Sequence, residues 1–295
     1  MIDSPKGIIL GHNQFFGISH LSTQRAAERE QAFRNVDRIL SIVRCARDHG
    51  ANGLMLSTHE RASAVADGMR SDKDLRQGME VHVLLPYMAK YVRAANTKGM
   101  LGMLSDILSQ STWSSRVRLG LTSGKALMGG DHFEKLKALI DIEMLPFRDL
   151  NVRSVYLHNA LTDLAAGLGM MEVLKFFCDY IKERYNAQPS FCTLSYSLLV
   201  RRLTQWSIEA PLMAPFNPKG FQMNPSREAC ETDLALSSFP VVAMSPLAAG
   251  SVTPQSAARY LADLDHVRSV VVGASNEAHV AETFPLLLSA LQDER

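Results

Sequence analysis

Three things are scarce in this sequence: an excess of charge of either sign, closely spaced cysteines, and long apolar runs. Basic and acidic residues nearly cancel, 31 against 30, leaving a formal charge of +1. That balance argues against a nucleic-acid-binding protein, which needs surplus Lys and Arg for phosphate contacts. The four cysteines, Cys45, Cys178, Cys192 and Cys230, lie far apart with no C-x-x-C pair. Buried, reduced thiols and a cytoplasmic setting are therefore expected. No apolar run approaches the roughly 20 residues of a bilayer-spanning helix, so no membrane partner is expected. The opening MIDSPKGIILGHN has no basic stretch followed by a long apolar one, and no secretory signal is expected from it. Against these absences, 46% of the residues are hydrophobic, enough for a large core and too many for a disordered chain.

A length of 295 residues leaves room for two domains of about 150 residues each or for one α/β barrel of about 250. Organisation along the chain decides between them. Short apolar runs alternate with helical patterns, the signature of parallel βαβ units. Eight runs read as strands: Gly7–Leu10, Gly53–Leu56, Val81–Leu85, Ser154–Leu157, Ser190–Leu194, Pro211–Pro215, Val241–Met244 and Val270–Val272. Between the first two, Phe33, Val36, Ile39, Leu40 and Val43 recur at helical spacing, predicting one helix over Thr23–His49 that Gly50 stops. Eight strands with interleaved helices predict an α/β chain that forms one (β/α)8 TIM barrel across residues 1–295. A doubly wound sheet is the alternative fold.

One connection is long. From Pro86 to Arg153 the chain runs more than twice the usual βα repeat of about 30 residues. A helix over Asp131–Glu143 takes up part of it. Residues 95–130 form an insertion after strand three, either a lid over the barrel mouth or a plain surface loop; Gly120, Gly124, Gly129 and Gly130 give it conformational freedom. Gly120–Lys125 is one residue short of a P-loop and lacks the following Ser or Thr, so that motif is rejected.

In such barrels the active site gathers at the C-terminal ends of the strands. There the first strand runs into His12, Asn13 and Gln14, the second into His59 and Glu60, the third into Tyr87 and Lys90, and the fourth into His158 and Asn159. Ser195 and Tyr196 follow the fifth strand, and Asn217 and Lys219 the sixth. Histidine titrates near neutral pH and suits proton transfer, which makes His158, His12 and His59 candidate acid–base groups. Tyr196 and Tyr87 are candidate proton donors, and Asn13, Gln14, Glu60, Asn159, Ser195 and Asn217 candidate substrate-binding residues. A desolvated Lys219 would suit Schiff-base chemistry; the plainer reading is an exposed lysine in a Pro-Lys-Gly turn. His12, His59 and His158 with Glu60 form an alternative divalent-metal set. The seventh turn (Ser245, Leu247, Gly250) and the eighth (Gly273, Ala274, Ser275, Asn276) use small residues to enter helices, and their amides suit a phosphate or a cofactor diphosphate. Ser275 and Asn276 equally suit an N-cap of the last helix.

Several of these segments resemble the aldo-keto reductase superfamily. VVAMSPLAAG (Val241–Gly250) resembles its S-P-L-x-x-G turn, and VVVGASNEAHVAE (Val270–Glu282) its G-A-S-x-x-x-H/R-x-x-E segment. VYLHN (Val155–Asn159) resembles the strand carrying the family's catalytic His, TLSY (Thr193–Tyr196) its G-V-S-N turn, and Phe216–Pro218 with Arg227 and Glu228 its sixth strand and following helix. The match covers roughly residues 150–285; the first half matches in layout, including Leu10–Gly17 against an L-G-x-G-T-F-G-like opening. The resemblance implies a (β/α)8 barrel that binds NAD(P)H and reduces carbonyls through an Asp, Tyr, Lys and His tetrad. Of that tetrad only His158 carries over. Gly53–Val65 has neither Asp nor Tyr, and Val81–Tyr87 has no Lys. The nicotinamide contacts are altered too: Tyr196 replaces the Asn, Pro211–Pro215 has no Gln, and Met244 stands where an aromatic usually stacks on the ring.

Four functions follow. The leading one is a small-molecule enzyme of lyase, isomerase or aldolase type, acting on a polar carbonyl compound (phosphorylated or sugar-like) by histidine-based acid–base chemistry without redox. The others are an atypical NAD(P)H-dependent oxidoreductase, a metal-dependent hydrolase or isomerase, and a non-catalytic binding protein. The expected partner is a small-molecule substrate.

Overall fold

The computed structural model describes residues 7–17, 23–86 and 132–292. Tyr87, Lys90 and the 95–130 insertion lie outside the described residues. In chain order the elements are β1 (Gly7–Leu10), α1 (Thr23–Ala32), α2 (Val36–Asp48), β2 (Ala51–Ser57), α3 (Ala62–Ser71), α4 (Lys73–Gly78), β3 (Glu80–Leu85), α5 (His132–Met144), β4 (Val152–Leu157), α6 (Asn159–Leu168) and α7 (Met171–Tyr185). There follow β5 (Gln188–Cys192), α8 (Tyr196–Trp206), β6 (Leu212–Pro215), α9 (Arg227–Leu236), β7 (Val241–Met244), α10 (Pro254–Ala262), β8 (Val267–Val272) and α11 (Glu277–Gln292). The eight strands pair in parallel, in sequence order, and β8 closes on β1. This is the (β/α)8 barrel, and closure rules out the doubly wound sheet. Among the described residues no helix is long and apolar enough to cross a membrane. All four cysteines are free; Cys178, Cys192 and Cys230 are buried and Cys45 is half-buried.

Strand parity explains why the runs are almost continuously apolar. A parallel strand in a barrel is covered on both faces, so successive residues go alternately to the helix layer and to the barrel interior. Ile8, Leu10, Leu54, Leu56, Val81 and Val83 join the cluster shared with the helices. Ile9, Met55, Tyr156, Cys192, Met213 and Val242 fill the interior. Leu84, Met244 and Val271 pack on that interior set from the last or second-last position of their strands, so they floor the mouth.

Two expectations about helices need adjustment. The stretch expected as one helix over Thr23–His49 is two, α1 and α2. Asn35 separates them, its side-chain oxygen accepting from the Asp37 amide at 2.9 Å. Such a cap satisfies an amide that a continuous helix would have paired with backbone. The break also lets Phe33 turn inward against Phe15, edge-on at 5.2 Å. Gly50 ends α2 as expected, with φ of +91° and its amide on the Arg47 carbonyl.

Below the apolar interior lies a polar layer. His82, Ser154, Ser190 and Ser269 are fully buried, on the same parity as Leu84, Tyr156, Cys192 and Val271 but one step toward the strand starts. His82 Nδ1 meets Ser154 Oγ at 2.7 Å. Its ring occupies the space over Gly53, where a Cβ would come within 2.6 Å of Nε2, so only glycine fits at that point of β2. The Glu80 carboxylate stays 3.8 Å from Nε2, beyond hydrogen-bond reach.

Burial, helped by Arg153, lowers the His82 pKa to about 3. The unfolded chain binds a proton here near pH 6.5, whereas the folded barrel refuses it. Stability is therefore complete above about pH 6.5 and falls as the pH drops toward 3, by up to about 1.4 kcal/mol per unit for this residue. Thermal unfolding of the wild type and His82→Asn between pH 7 and 4.5 measures it. The wild type is expected to lose Tm more steeply on acidification, and parallel slopes would remove His82 as a source.

Candidate active site

Past Leu10 the chain turns over the barrel mouth. His12 is buried there, with its ring 5.2 Å from that of Phe16. The other face of the contact belongs to β2: Phe16 stacks on His59 at 4.5 Å with the planes 9° apart. Arg61 locks the two loops together. Its guanidinium donates to the Phe15 carbonyl at 2.9 Å, and its amide donates to His59 Nδ1 at 3.2 Å. Because that amide can only donate, His59 carries its proton on Nε2.

His158 closes β4 and caps α6, its Nδ1 accepting from the Ala160 amide at 3.2 Å. The same reasoning places its proton on Nε2. Burial lowers the His158 pKa. For His12 burial dominates, followed by repulsion from His59 and then His158, and together they bring it down to about 3. The structure thus brings His59 and His158 within electrostatic range of His12 at one mouth, all on the strand ends where the sequence placed them. Among the described residues, Nδ1 of His12 has no hydrogen-bond partner.

The other expected residues are distributed unevenly. Gln14 is half-buried and lies against Gly273, where a Cβ would meet its Cγ at 3.1 Å. Asn13 and Glu60 are exposed. Asn159 is half-buried as the first residue of α6, and Ser195 precedes α8 with its amide on Thr193 Oγ1 at 2.8 Å. Tyr196 does not reach the mouth: it is buried in the helix layer, edge-on to Phe216, with its hydroxyl 3.3 Å from Ser237 Oγ at the end of α9. Asn217 is fully buried and holds its own loop, with both amide atoms bonded to the Phe221 backbone. Lys219 is exposed, which removes the desolvation that Schiff-base chemistry requires.

The turn after β7 is tightly wound. Ser245, Ala248, Ala249 and Gly250 all have positive φ. The amides of Ala248, Gly250, Ser251 and Val252 bond to carbonyls within the turn, so the Gly250 amide is not available to a phosphate. After β8, Asn276 caps α11, its side-chain oxygen accepting from the His279 amide at 2.8 Å, and Ser275 Oγ meets His279 Nδ1 at 3.1 Å. Ala274 is buried and Leu247 half-buried beside these turns. Among the described residues no group of three or more His, Cys, Asp or Glu is placed to hold a metal ion. The alternative set of His12, His59, His158 and Glu60 does not converge as ligands, since Glu60 turns to solvent.

Two carboxylates, the half-buried Asp163 and the buried Glu143, escaped the sequence reading. Asp163 on α6 accepts from the Thr193 hydroxyl and, at 3.0 Å, from the Leu194 amide. It ties the helix behind His158 to the end of β5. Burial raises its pKa, opposed by these hydrogen bonds. Glu143 on α5 is buried and accepts from the Thr58 hydroxyl, next to His59. The only signal for either was an acidic residue among neighbours that a helical wheel turns inward.

This barrel superposes on solved structures along almost its whole length. A protein from Pseudomonas aeruginosa assigned to the aldo-keto reductases aligns with a TM-score of 0.62 at 14% identity, over 98% of this chain and 96% of its own. An aldo-keto reductase from Klebsiella pneumoniae, solved in complex with NADPH, aligns with a TM-score of 0.52 at 14% identity, over 95% of this chain and 85% of its own. The fold is aldo-keto-reductase-like. No family model and no curated protein matches the sequence. The likeness in structure therefore extends to the first half, where the sequence resembled the aldo-keto reductases only in layout. The aldo-keto-reductase-like barrel here is a divergent one, with Leu84 and Met244 flooring its mouth.

Asp163 gives a direct test of how the mouth is held. Asp163→Ala leaves the Thr193 hydroxyl and the Leu194 amide without their acceptor. Stability should fall by about 1–3 kcal/mol, read as a lower denaturant midpoint at unchanged slope. An unshifted midpoint would mean that the tie between α6 and β5 carries no weight.

Proposed function

We propose that this chain is a small-molecule enzyme that performs acid–base chemistry on a polar carbonyl compound at the C-terminal mouth of its barrel. The observation that carries the reading is the proton inventory of two histidines. His158 has its proton on Nε2, because Nδ1 accepts from the Ala160 amide. His12 presents Nδ1 without a partner. A neutral imidazole donor polarises a carbonyl oxygen, and a neutral imidazole acceptor takes a proton from the neighbouring carbon. The apolar floor of Leu84, Met244 and Val271 strengthens both by excluding water. Proton transfer of this kind leads to isomerase or lyase chemistry. An aldolase route through Lys219 receives no support from its exposed position.

A second reading is an atypical NAD(P)H-dependent reductase, favoured by the likeness to the Klebsiella enzyme solved with NADPH. The residues of this barrel do not fit a nicotinamide ring. The inward positions at the ends of β6 and β7 are Pro215 and Met244, which offer neither a carboxamide partner nor an aromatic face. No step is therefore routed through the cofactor.

Exchange of the α-proton of small hydroxy-carbonyl compounds into D2O, followed by NMR, tests the leading reading. Enzyme-dependent exchange is expected, falling about 10²-fold in His158→Ala with the fold intact. Its absence across the panel, or undiminished exchange in the variant, would refute it. Both histidines must be neutral, so the rate should hold at neutral pH and decline on acidification. Micromolar binding in an NADPH fluorescence titration would favour the reductase instead.

A further inference from the structure

We propose that the β1–β2 side of the mouth is a hydroxyl-binding subsite made by Gln14 and Ser57 beside the base His12, so that the substrate is an uncharged polyhydroxy carbonyl compound. The substrate class rests on the reading of the mouth as a carbonyl site; the subsite itself does not. Among the described residues, three buried polar atoms there have no hydrogen-bond partner: Nδ1 of His12, Oε1 of Gln14 and Oγ of Ser57. His12 is 4% exposed and Ser57 2%. Buried polar atoms in folded proteins are nearly always paired, and three unpaired ones at a barrel mouth call for a ligand.

Their placement is consistent with one subsite. His12 is buried where the chain passes from β1 over the mouth, its ring 5.2 Å from that of Phe16. Gln14 reaches over Gly273 at the end of β8. Ser57 is the last residue of β2, paired with Leu84 of β3, and has the inward parity of Met55. The three thus line the sector from β8 through β1 to β2, facing His158 at the end of β4.

Their chemistry selects the ligand. Burial keeps His12 neutral, so its ring has one acceptor nitrogen, and Nδ1 is the one without a partner among the described residues. Gln14 Oε1 accepts as well, and the Ser57 hydroxyl does either. Gln14 Oε1 and the Ser57 hydroxyl match neighbouring O–H groups, next to the C–H that His12 Nδ1 faces. They oppose a phosphate or carboxylate, whose oxygens would face lone pairs. Arg61, the cation in the β2 turn, is committed to the Phe15 and Glu30 carbonyls and does not offset this. An ammonium group would bring an unpaired charge into a site that already keeps its imidazoles neutral. On the opposite side, His158 Nε2–H remains for the carbonyl oxygen.

Saturation-transfer NMR on the full chain tests the subsite without requiring turnover, using xylitol, pentane-1,5-diol and inorganic phosphate as probes. Xylitol should bind, and pentane-1,5-diol, which lacks the inner hydroxyls, should not bind comparably. Ser57→Ala and Gln14→Met, the latter keeping the packing over Gly273, should each weaken xylitol roughly five- to tenfold, the loss of one neutral hydrogen bond. Equal transfer to both compounds, xylitol affinity unchanged in both variants, or displacement of xylitol by phosphate would overturn the proposal. Xylitol binding as expected, together with α-proton exchange unaffected by His158→Ala, would keep the subsite and refute the carbonyl reading. Exchange without xylitol binding would do the reverse.

Discussion

An imidazole moved from water into a protein interior loses the hydration that supports its charge, and without a carboxylate to replace that support it stays neutral. His12, His82 and His158 all obey this constraint, with burial as the leading cause in each. A neutral ring has one donor nitrogen and one acceptor, so each ring has a direction that a charged one would lack. For His158 the direction comes from a helix amide, and for His82 it is shared with its neighbour Ser154 on the adjacent strand β4. At the described mouth Glu60 turns to solvent, Arg61 is tied to backbone and Glu143 to the Thr58 hydroxyl. What the mouth can do is set by hydrogen-bond polarity on an apolar floor.

The fold is like that of the aldo-keto reductases, yet the barrel interior takes other side chains. Where a lysine would be expected on β3, the inward residues are His82, deep in the barrel, and Leu84 at the floor. His82 cannot stand in for it, because it sits a step below the mouth over Gly53. Barrel closure tolerates this freedom. Outward positions must match the helices and inward positions must fill a fixed volume, but no strand needs a particular polar group to pair with its neighbours.

Much of the fold was legible because parallel strands announce themselves twice, by apolar content and by spacing. All eight strands lie where the apolar runs put them, within a few residues at their ends. The candidate site was legible only in part. His12, His59 and His158 were found because strand ends converge on the mouth. Tyr196 and Asn217 misled because a residue just past a strand can turn to either layer, and sequence position does not say which. Asp163 and Glu143 were invisible because they sit on helices, and their burial depends on what those helices face. The break at Asn35 had a cap signal, but the apolar spacing running across it spoke more strongly.

The stack of Phe16 on His59, with Arg61 holding the Phe15 carbonyl, has a consequence for binding. Loops that are free in the empty protein must be ordered by their ligand, and that ordering subtracts from affinity. Here the turns after β1 and β2 clasp each other through a ring contact and an arginine before anything binds. The loss of loop freedom falls on folding rather than on recognition, so this half of the mouth meets its ligand as a rigid template.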